Sequence, residues 1–485
     1  EEERKFTAML KLFDPSSSLP VAERGKAPVA ITSFFAGKPL VLDEKVKAGQ
    51  IDDYVTPTFY APNVSWLVQR NGMNSRHSLM VSLNGSEGNH MHANGISMEL
   101  YGKGYVLGPD AGIGKTLYQG LDYLEYYSQF PSHNTVCVDG ISSYPVMKSN
   151  HSFKLRALYP AAGERLPYQP ISYSEVYFRE PETFADQTRL NGIVNVDDSA
   201  GYYIDIFRSR KVEGGDKMHD YFYHNLGQHM TLTAADGSEL GLQPTQELAF
   251  AGAHLYAYSY IYNKKRAVTS KDVKAGFTIQ MPDKDDITMN LWMKGEEGRE
   301  IFSALSPMTE GLSRIKNMPY SIKDQPTLTL VARQKGEAWN RPFVVVYEPS
   351  TVKEPSCIAS VDYPQVKSEQ QGSHVGIRVA LTNGNVDWIL SSDENAHHCK
   401  LEKLQARAGY ALCRQSEKGE TLQAFLGNGT QLEADGVSIR TDAPADVLLL
   451  KQDGKWMYTA TAPCRVVVGK KKYTLSVSKE LRLLK

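Results

Sequence analysis

The chain has 485 residues and a formal net charge of −1, with charged residues at 22% and hydrophobic residues at 41%. This is the composition of a globular protein of about two to four domains. It offers no bulk charge to attract nucleic acid or an anionic membrane surface, and no apolar run approaches the ~20 residues of a membrane span.

The five cysteines are Cys137, Cys357, Cys399, Cys413 and Cys464. An odd count without a CxxC pair points to neither a disulfide framework nor a cysteine zinc site. The 27 tyrosines suit sugar contact, but Tyr is also a good strand residue. No signal peptide is present and the chain starts at Glu1 rather than Met, so a processed form or a fragment of something longer is expected.

In chain order, ERKFTAMLKLF (3–13) spaces Phe6, Met9, Leu10 and Phe13 as one short helix. Residues 14–55 are rich in Pro, Gly and Lys and read as a linker. From Val64 the pattern changes to short strands: SWLVQR, SLMVSL, ISMELY, GYVLG, NTVCVD, SEVYF, GIVNV, GYYIDIFRSR and MTLTAA. In GYYIDIFRSR the alternation puts Tyr203, Asp205, Phe207 and Ser209 on one face, with Tyr202, Ile204, Ile206 and Arg208 on the other. FTIQM, TMNLWM, TLTLVAR and FVVVYEP continue the series. A second β block runs from about Pro355, and LTNGNVDW and KQDGKW are hairpin turn signals within it. The expected fold is mainly β: a large antiparallel β-sandwich followed by a smaller C-terminal β domain. The expected domains are 1–55 (helix and linker), 56–352 (central sandwich) and 353–485 (C-terminal sheet domain).

GPDAGIGKT (108–116) mimics a P-loop, but the register fails. The Gly required five residues before Gly114 falls on Pro109, which has no N–H to offer a phosphate. The stretch gains meaning from GNHMHANG (88–95) instead. His90 and His92 are two apart, so on a strand they share a face. The strands ISMELY and GYVLG, joined by a Gly-Lys-Gly turn, would return Asp110 to the side of His92. His133, in FPSHNTVCV, precedes the next strand. His92, Asp110 and His133 form an N,O,N set suited to zinc with one open position. Singly, each has a plainer role: a hydrogen-bonded strand-end His, an Asx turn at Asp110, a turn cap at His133.

GNHMHANGISMELYGKGYVLGPDAG followed by PSHNTVCVDG resembles the central β domain of the heparinase II/III-like polysaccharide lyases. WLVQRNG, DIFRSRKVEGGDKMHDYFYH and FVVVYEP fit the same family, and the likeness covers about residues 56–350. It implies zinc ligands at His92, Asp110 and His133, and a catalytic histidine facing the sugar at His90. It implies a proton-transferring Tyr at Tyr127, with Tyr123 and Tyr126 as shifted alternatives. The zinc would hold the loop carrying Tyr127 and orient His90.

The reaction implied is β-elimination on a uronic-acid-containing acidic polysaccharide, by a secreted, periplasmic or cell-surface bacterial enzyme. A non-catalytic carbohydrate-binding module and a zinc-dependent glycan hydrolase are the alternative readings. Two features depart from the family. Asn94 stands where the third acidic position of H-x-H-x-D falls, and the (α/α) toroid that completes the active site has no counterpart beyond the helix at 3–13. In the family that toroid supplies an Asn or His for the uronate carboxylate and a second catalytic Tyr.

Among other candidates, His219, His224 and His229 are five apart and alternate faces, which points to structural roles. His397 and His398, beside Cys399, read as a polar surface loop. Arg70, Arg76, Arg208 and Arg210 could pair with substrate carboxylates or sulfates, against an ordinary role as solvated or strand-edge charges.

Overall fold

The computed structural model describes residues 2–13, 20–21, 38–39, 45–49, 54–71, 79–114, 120–142, 147–164, 170–249, 256–282, 284–309, 322 and 325–485. Two compact units result: residues 1–56 with 73–75, and residues 57–72 with 76–485. The first contains the helix Glu2–Phe13, where the sequence places it. Ala8 of this helix accepts from the Gly49 amide at 2.9 Å, and the Lys11 ammonium reaches the Val46 carbonyl at 2.6 Å. Most of 14–55 lies outside the described residues.

The second unit is a stack of antiparallel sheets, as the alternating patterns require. A five-stranded sheet runs in sequence order through Thr58–Ala61, Trp66–Asn71, Leu79–Asn84, Ser97–Gly102 and Tyr105–Gly108. A six-stranded sheet brings Val136–Val138 beside Met218–Asn225, with Thr327–Lys335 and Arg299–Ser306 beyond. An eight-stranded sheet has Ala185–Asn195, Gly201–Lys211 and Ala338–Thr351 at its middle. The strands after Ile358 form a twelve-stranded sheet. Its KQDGKW hairpin turns through Asp453 and Gly454, both left-handed (φ 49° and 76°), as a type I′ turn demands.

The strand Gly201–Lys211 explains the layering. Tyr203 and Phe207 enter a core shared with Leu100, Val138 and Tyr221. Tyr202, Ile204 and Ile206 enter a second core with Ile377, Leu412 and Phe425 of the twelve-stranded sheet. Both alternating faces are therefore buried and mostly apolar, with Asp205, Arg208 and Ser209 as buried polar exceptions. Polar contacts cross the same boundary. The Tyr202 hydroxyl donates to Asp387 at 2.6 Å, and Asp387 also receives Arg414 at 2.7 Å. Arg208, an expected strand-edge charge, is instead fully buried and donates to Ser373 Oγ at 2.8 Å and Ser391 Oγ at 3.1 Å. A guanidinium has five donors, so it can sit between sheets when serine oxygens and carbonyls meet it.

Asp446 makes another cross-layer contact, accepting from the Tyr173 hydroxyl and the Asn428 amide at 2.9 Å each. Burial lifts its carboxyl to about 6. The folded state therefore holds this proton more tightly than the unfolded chain does. The associated stability is complete below about pH 4 and lost as pH rises through 6. Asp446→Asn removes that dependence. Relative to wild type, the variant should gain about 2–3 kcal/mol between about pH 4 and pH 7.5. Urea denaturation at the two pH values checks this; a constant gap contradicts it.

Candidate functional site

The hairpin Ser97–Gly102 and Tyr105–Gly108 turns through Lys103 and Gly104, both left-handed (φ 53° and 88°). It delivers Asp110 to the site, as its sequence implies. Asp110 Oδ1 accepts the Gly112 amide at 2.8 Å in an Asx turn, while Oδ2 meets His133 Nδ1 at 2.9 Å. The Asx turn and the site thus use different oxygens of one carboxylate. GPDAGIG (108–114) is a turn built around Asp110; residues 115–119, with the Lys-Thr of the stretch, lie outside the described residues.

GNHMHANG differs from expectation. The strand stops at Asn89, and residues 90–96 form an irregular loop. Gly88, His90 and Gly95 take left-handed φ values of 116°, 59° and 61°, which break the extended alternation. The two histidines therefore do not share a strand face. His90 is exposed, with its backbone amide tied to the Met147 carbonyl at 2.8 Å. A non-glycine residue in this conformation is uncommon and occurs disproportionately at functional sites.

His92 turns inward. Its Nδ1 lies 3.1 Å from the Tyr127 carbonyl. A carbonyl can only accept, so Nδ1 carries the proton and Nε2 keeps its lone pair. Its ring lies 4.8 Å from that of His133. His133 is fully buried, and its Nε2 finds no hydrogen-bond partner among the described residues. Leaving such a nitrogen unpaired costs about 1–3 kcal/mol, so its lone pair is available to a ligand or a water. Ligand atoms of His92, Asp110 and His133 all lie within 4.8 Å of one another. The three sequence-selected residues converge, and the donor set can hold a divalent metal.

Burial pushes the His92 pKa down, and the neighbouring His133 adds to this, which keeps the ring in its ligand form. Burial opposes ionisation of Asp110, but His133, His92 and the Gly112 amide together outweigh it and hold the carboxyl below its usual range. Glu99 stands next to this pair. Burial, reinforced by the Asp110 charge, lifts its carboxyl to about 7. Its Oε1 accepts from Asn84 Nδ2 at 2.7 Å. Nothing in its local sequence, ISMELY, sets Glu99 apart from an ordinary strand glutamate.

Tyr127 ends a π-helical turn, Tyr123–Tyr127, an element that often marks functional positions. Its ring is buried and its hydroxyl donates to the Met308 carbonyl at 2.7 Å. Its own carbonyl receives His92 and the Ser132 hydroxyl. Tyr123 and Tyr126 are buried as well, and burial raises both phenols.

Asn134, within the H-N-T motif, is a positioning residue that the sequence did not single out. Its side-chain amide donates to the carbonyls of Met98 and Pro109, at 2.9 and 3.1 Å, and its Oδ1 accepts the His224 amide at 2.6 Å. It therefore ties together the segments that carry Asp110 and His133. Asn94 is buried, and its Oδ1 has no partner among the described residues.

The remaining candidates take structural places. His219 meets Ser209 and Asp216 at 2.9 and 2.8 Å; His224 meets Thr329 and the Pro131 carbonyl at 3.0 and 2.9 Å; His229 is exposed. Arg210 stacks over Trp339 at 4.2 Å. Arg76 lies outside the described residues. Arg70 joins Phe59, Trp66, Met80, Glu99 and Tyr101 around a groove of about 410 Å³. The Phe59 and Trp66 rings are exposed and meet edge to face at 5.5 Å.

No family model matches the chain. It is 27% identical over 433 residues to an endo-acting ulvan lyase of Formosa agariphila, a match covering 84% of this chain and 50% of the relative. Among solved structures, a heparinase III aligns at 12% identity with a TM-score of 0.41, covering 78% of this chain and 46% of that one. The heparan sulfate lyase HepC of Pedobacter heparinus aligns at 12% identity with a TM-score of 0.36, with the same coverage. The chain spans about half the length of the relatives it matches.

Proposed function

We propose that this chain, which belongs with the heparinase-like polysaccharide lyases, carries the β half of an active site that cleaves a uronate-containing acidic glycan by β-elimination. One observation carries the reading: His92, Asp110 and His133 converge against the Tyr127 turn, in a chain related to an ulvan lyase. Ulvan is accordingly the first substrate to test.

In the elimination, a base takes the C5 proton, the C5–H electrons form the C4=C5 double bond, and the C4–O electrons leave with the glycosidic oxygen, which takes up a proton. Tyr127 is assigned the proton transfer. Its hydroxyl now donates to the Met308 carbonyl, so the role requires substrate to replace that acceptor. His90, exposed on the loop before His92, is assigned to donate to the uronate carboxylate as charge builds at C5. The Phe59–Trp66 pair and Arg70 offer a stacking surface and a cation for a neighbouring charged sugar.

His92, Asp110 and His133 would hold zinc, which when bound supplies fixed positive charge and anchors the Tyr127 turn. A toroid, in the same or another chain, would form the other wall of the cleft. A polysaccharide substrate suits a secreted, periplasmic or cell-surface setting, and no helix among the described residues is long and apolar enough to cross a membrane.

The test is to incubate the full-length protein with ulvan and other uronate glycans and follow ultraviolet absorbance beside reducing-end formation. A lyase raises both together, and Tyr127→Phe lowers the rate by about 10²–10⁴-fold. New reducing ends without absorbance would indicate a hydrolase. Retention on the glycan without cleavage would indicate a binding module. Either result overturns the proposal.

A further inference from the structure

The loop after the strand Val386–Ser392 carries a second convergence of ligand chemistry, far in sequence from the first. The strand His374–Leu381 pairs with Val386–Ser392 so that His374 stands opposite Ser392. Asp393 follows immediately. A turn closed by the His397 amide on the Glu394 carbonyl, at 3.1 Å, then folds His397 back toward His374. His374 Nε2 and His397 Nδ1 end 3.2 Å apart in a hydrogen bond that a metal taking both lone pairs would replace, with the rings at 67°. Ligand atoms of His374, Asp393 and His397 all lie within 4.8 Å of one another, and all three residues are half-buried.

We propose that His374, Asp393 and His397 form a second divalent transition-metal site, one that clips the 393–397 loop to the strand His374–Leu381 and, through Asp393, to the central sheet. Three observations support it. First, two imidazole nitrogens, each about 2.0–2.1 Å from one zinc, lie about 3.3 Å apart across a tetrahedral angle, close to the observed separation. Second, the carboxylate is already oriented. Asp393 Oδ1 accepts the Ser373 amide at 2.9 Å, and Oδ2 accepts the indole N–H of Trp339, on the strand Ala338–Thr351, at 2.7 Å. Each oxygen retains a lone pair, and such outer contacts are how ligating carboxylates are held.

Third, the space is kept open by a residue without a side chain. A Cβ at Gly372 would stand 2.8 Å from Asp393 Oδ1 and 3.0 Å from His397 Nδ1. The buried Arg208 guanidinium behind Ser373 opposes a cation, and the Asp393 carboxylate faces it in charge. Two neutral imidazoles then dominate the donor set. That chemistry suits Zn²⁺, Co²⁺ or Ni²⁺ rather than Ca²⁺ or Mg²⁺. One position is left open for water.

The structure departs from the reading of ENAHHCK as a polar surface loop, since His397 and His398 are half-buried and His398 opens a strand. Cys399 is fully buried in the strand His398–Leu401 and unsuited to join the site, whereas His397 finds its partner 23 residues upstream.

The test is titration of metal-stripped protein with Co²⁺, read by visible absorbance and by thermal melting. Wild type should take up two equivalents. His397→Ala and the more conservative His374→Gln should each remove one equivalent while leaving the one that His92→Ala removes. Gly372→Val should weaken uptake at the same equivalent with both histidines intact. Unchanged stoichiometry in folded His397→Ala and His374→Gln would overturn the proposal. So would a single wild-type equivalent abolished by His92→Ala. A single equivalent lost only in His397→Ala would support this site and count against the first.

Discussion

Arg189→Met should lower the unfolding free energy of the sandwich by about 3–5 kcal/mol. Arg189 and Asp205 are both fully buried and joined by two hydrogen bonds, 2.8 Å from Nε and 2.7 Å from Nη2. Asp205 also receives Asn191 at 2.9 Å and the Tyr221 hydroxyl at 2.6 Å. Removing the arginine strands a carboxylate in a site from which water is excluded, and that penalty exceeds the worth of the pair itself. The remaining guanidinium nitrogen reaches further. Nη1 donates to the Ile96 and Asn134 carbonyls at 2.8 and 2.6 Å. These carbonyls lie at the end of the His92 loop and in the bend that carries His133, so the variant should also weaken metal binding.

Arg189→Met combined with Asp205→Leu should cost less than the sum of the two single changes, because no buried charge is left unpaired. Chemical denaturation of the four proteins measures this. A loss below about 1 kcal/mol in Arg189→Met would show that the network is not what holds the segments together.

His92→Ala should remove one equivalent of zinc and slow glycan cleavage by more than about 100-fold. Two effects combine. The ring offers one of three ligand atoms, and its Nδ1–H also holds the Tyr127 carbonyl. Losing it releases the turn that presents the tyrosine assigned to proton transfer. Elemental analysis beside initial rates separates the contributions. Zinc lost with activity fully retained would remove the metal from the account, whereas zinc retained would remove His92 from the ligand set.

The parts of this site that the sequence made legible are those set by local physics. The Ser97–Gly108 hairpin announces itself through alternation and a Lys-Gly turn, and it alone returns Asp110 to the site. His133 was legible only together with the two earlier motifs. The alternation around Tyr202–Ser209 was legible, but not that a sheet covers each of its two faces. The HxH geometry was not legible as a strand pair, since three left-handed residues turn that stretch into a loop. Nor was the support beneath the site. Arg189 meets partners 93 and 55 residues away, at Ile96 and Asn134, and no local pattern encodes such contacts. Arg208 and His397 were misjudged for a related reason. A polar or charged residue reads as exposed until a distant serine or histidine is known to face it.

The most direct test of the central claim is the mass of the products released from ulvan by the full-length protein. Elimination adds no water, so the fragments must sum to the mass of the parent chain, with an unsaturated uronate at each new non-reducing end. That result would establish a lyase. Fragments that together carry one added water per cleavage would mean hydrolysis and contradict the account.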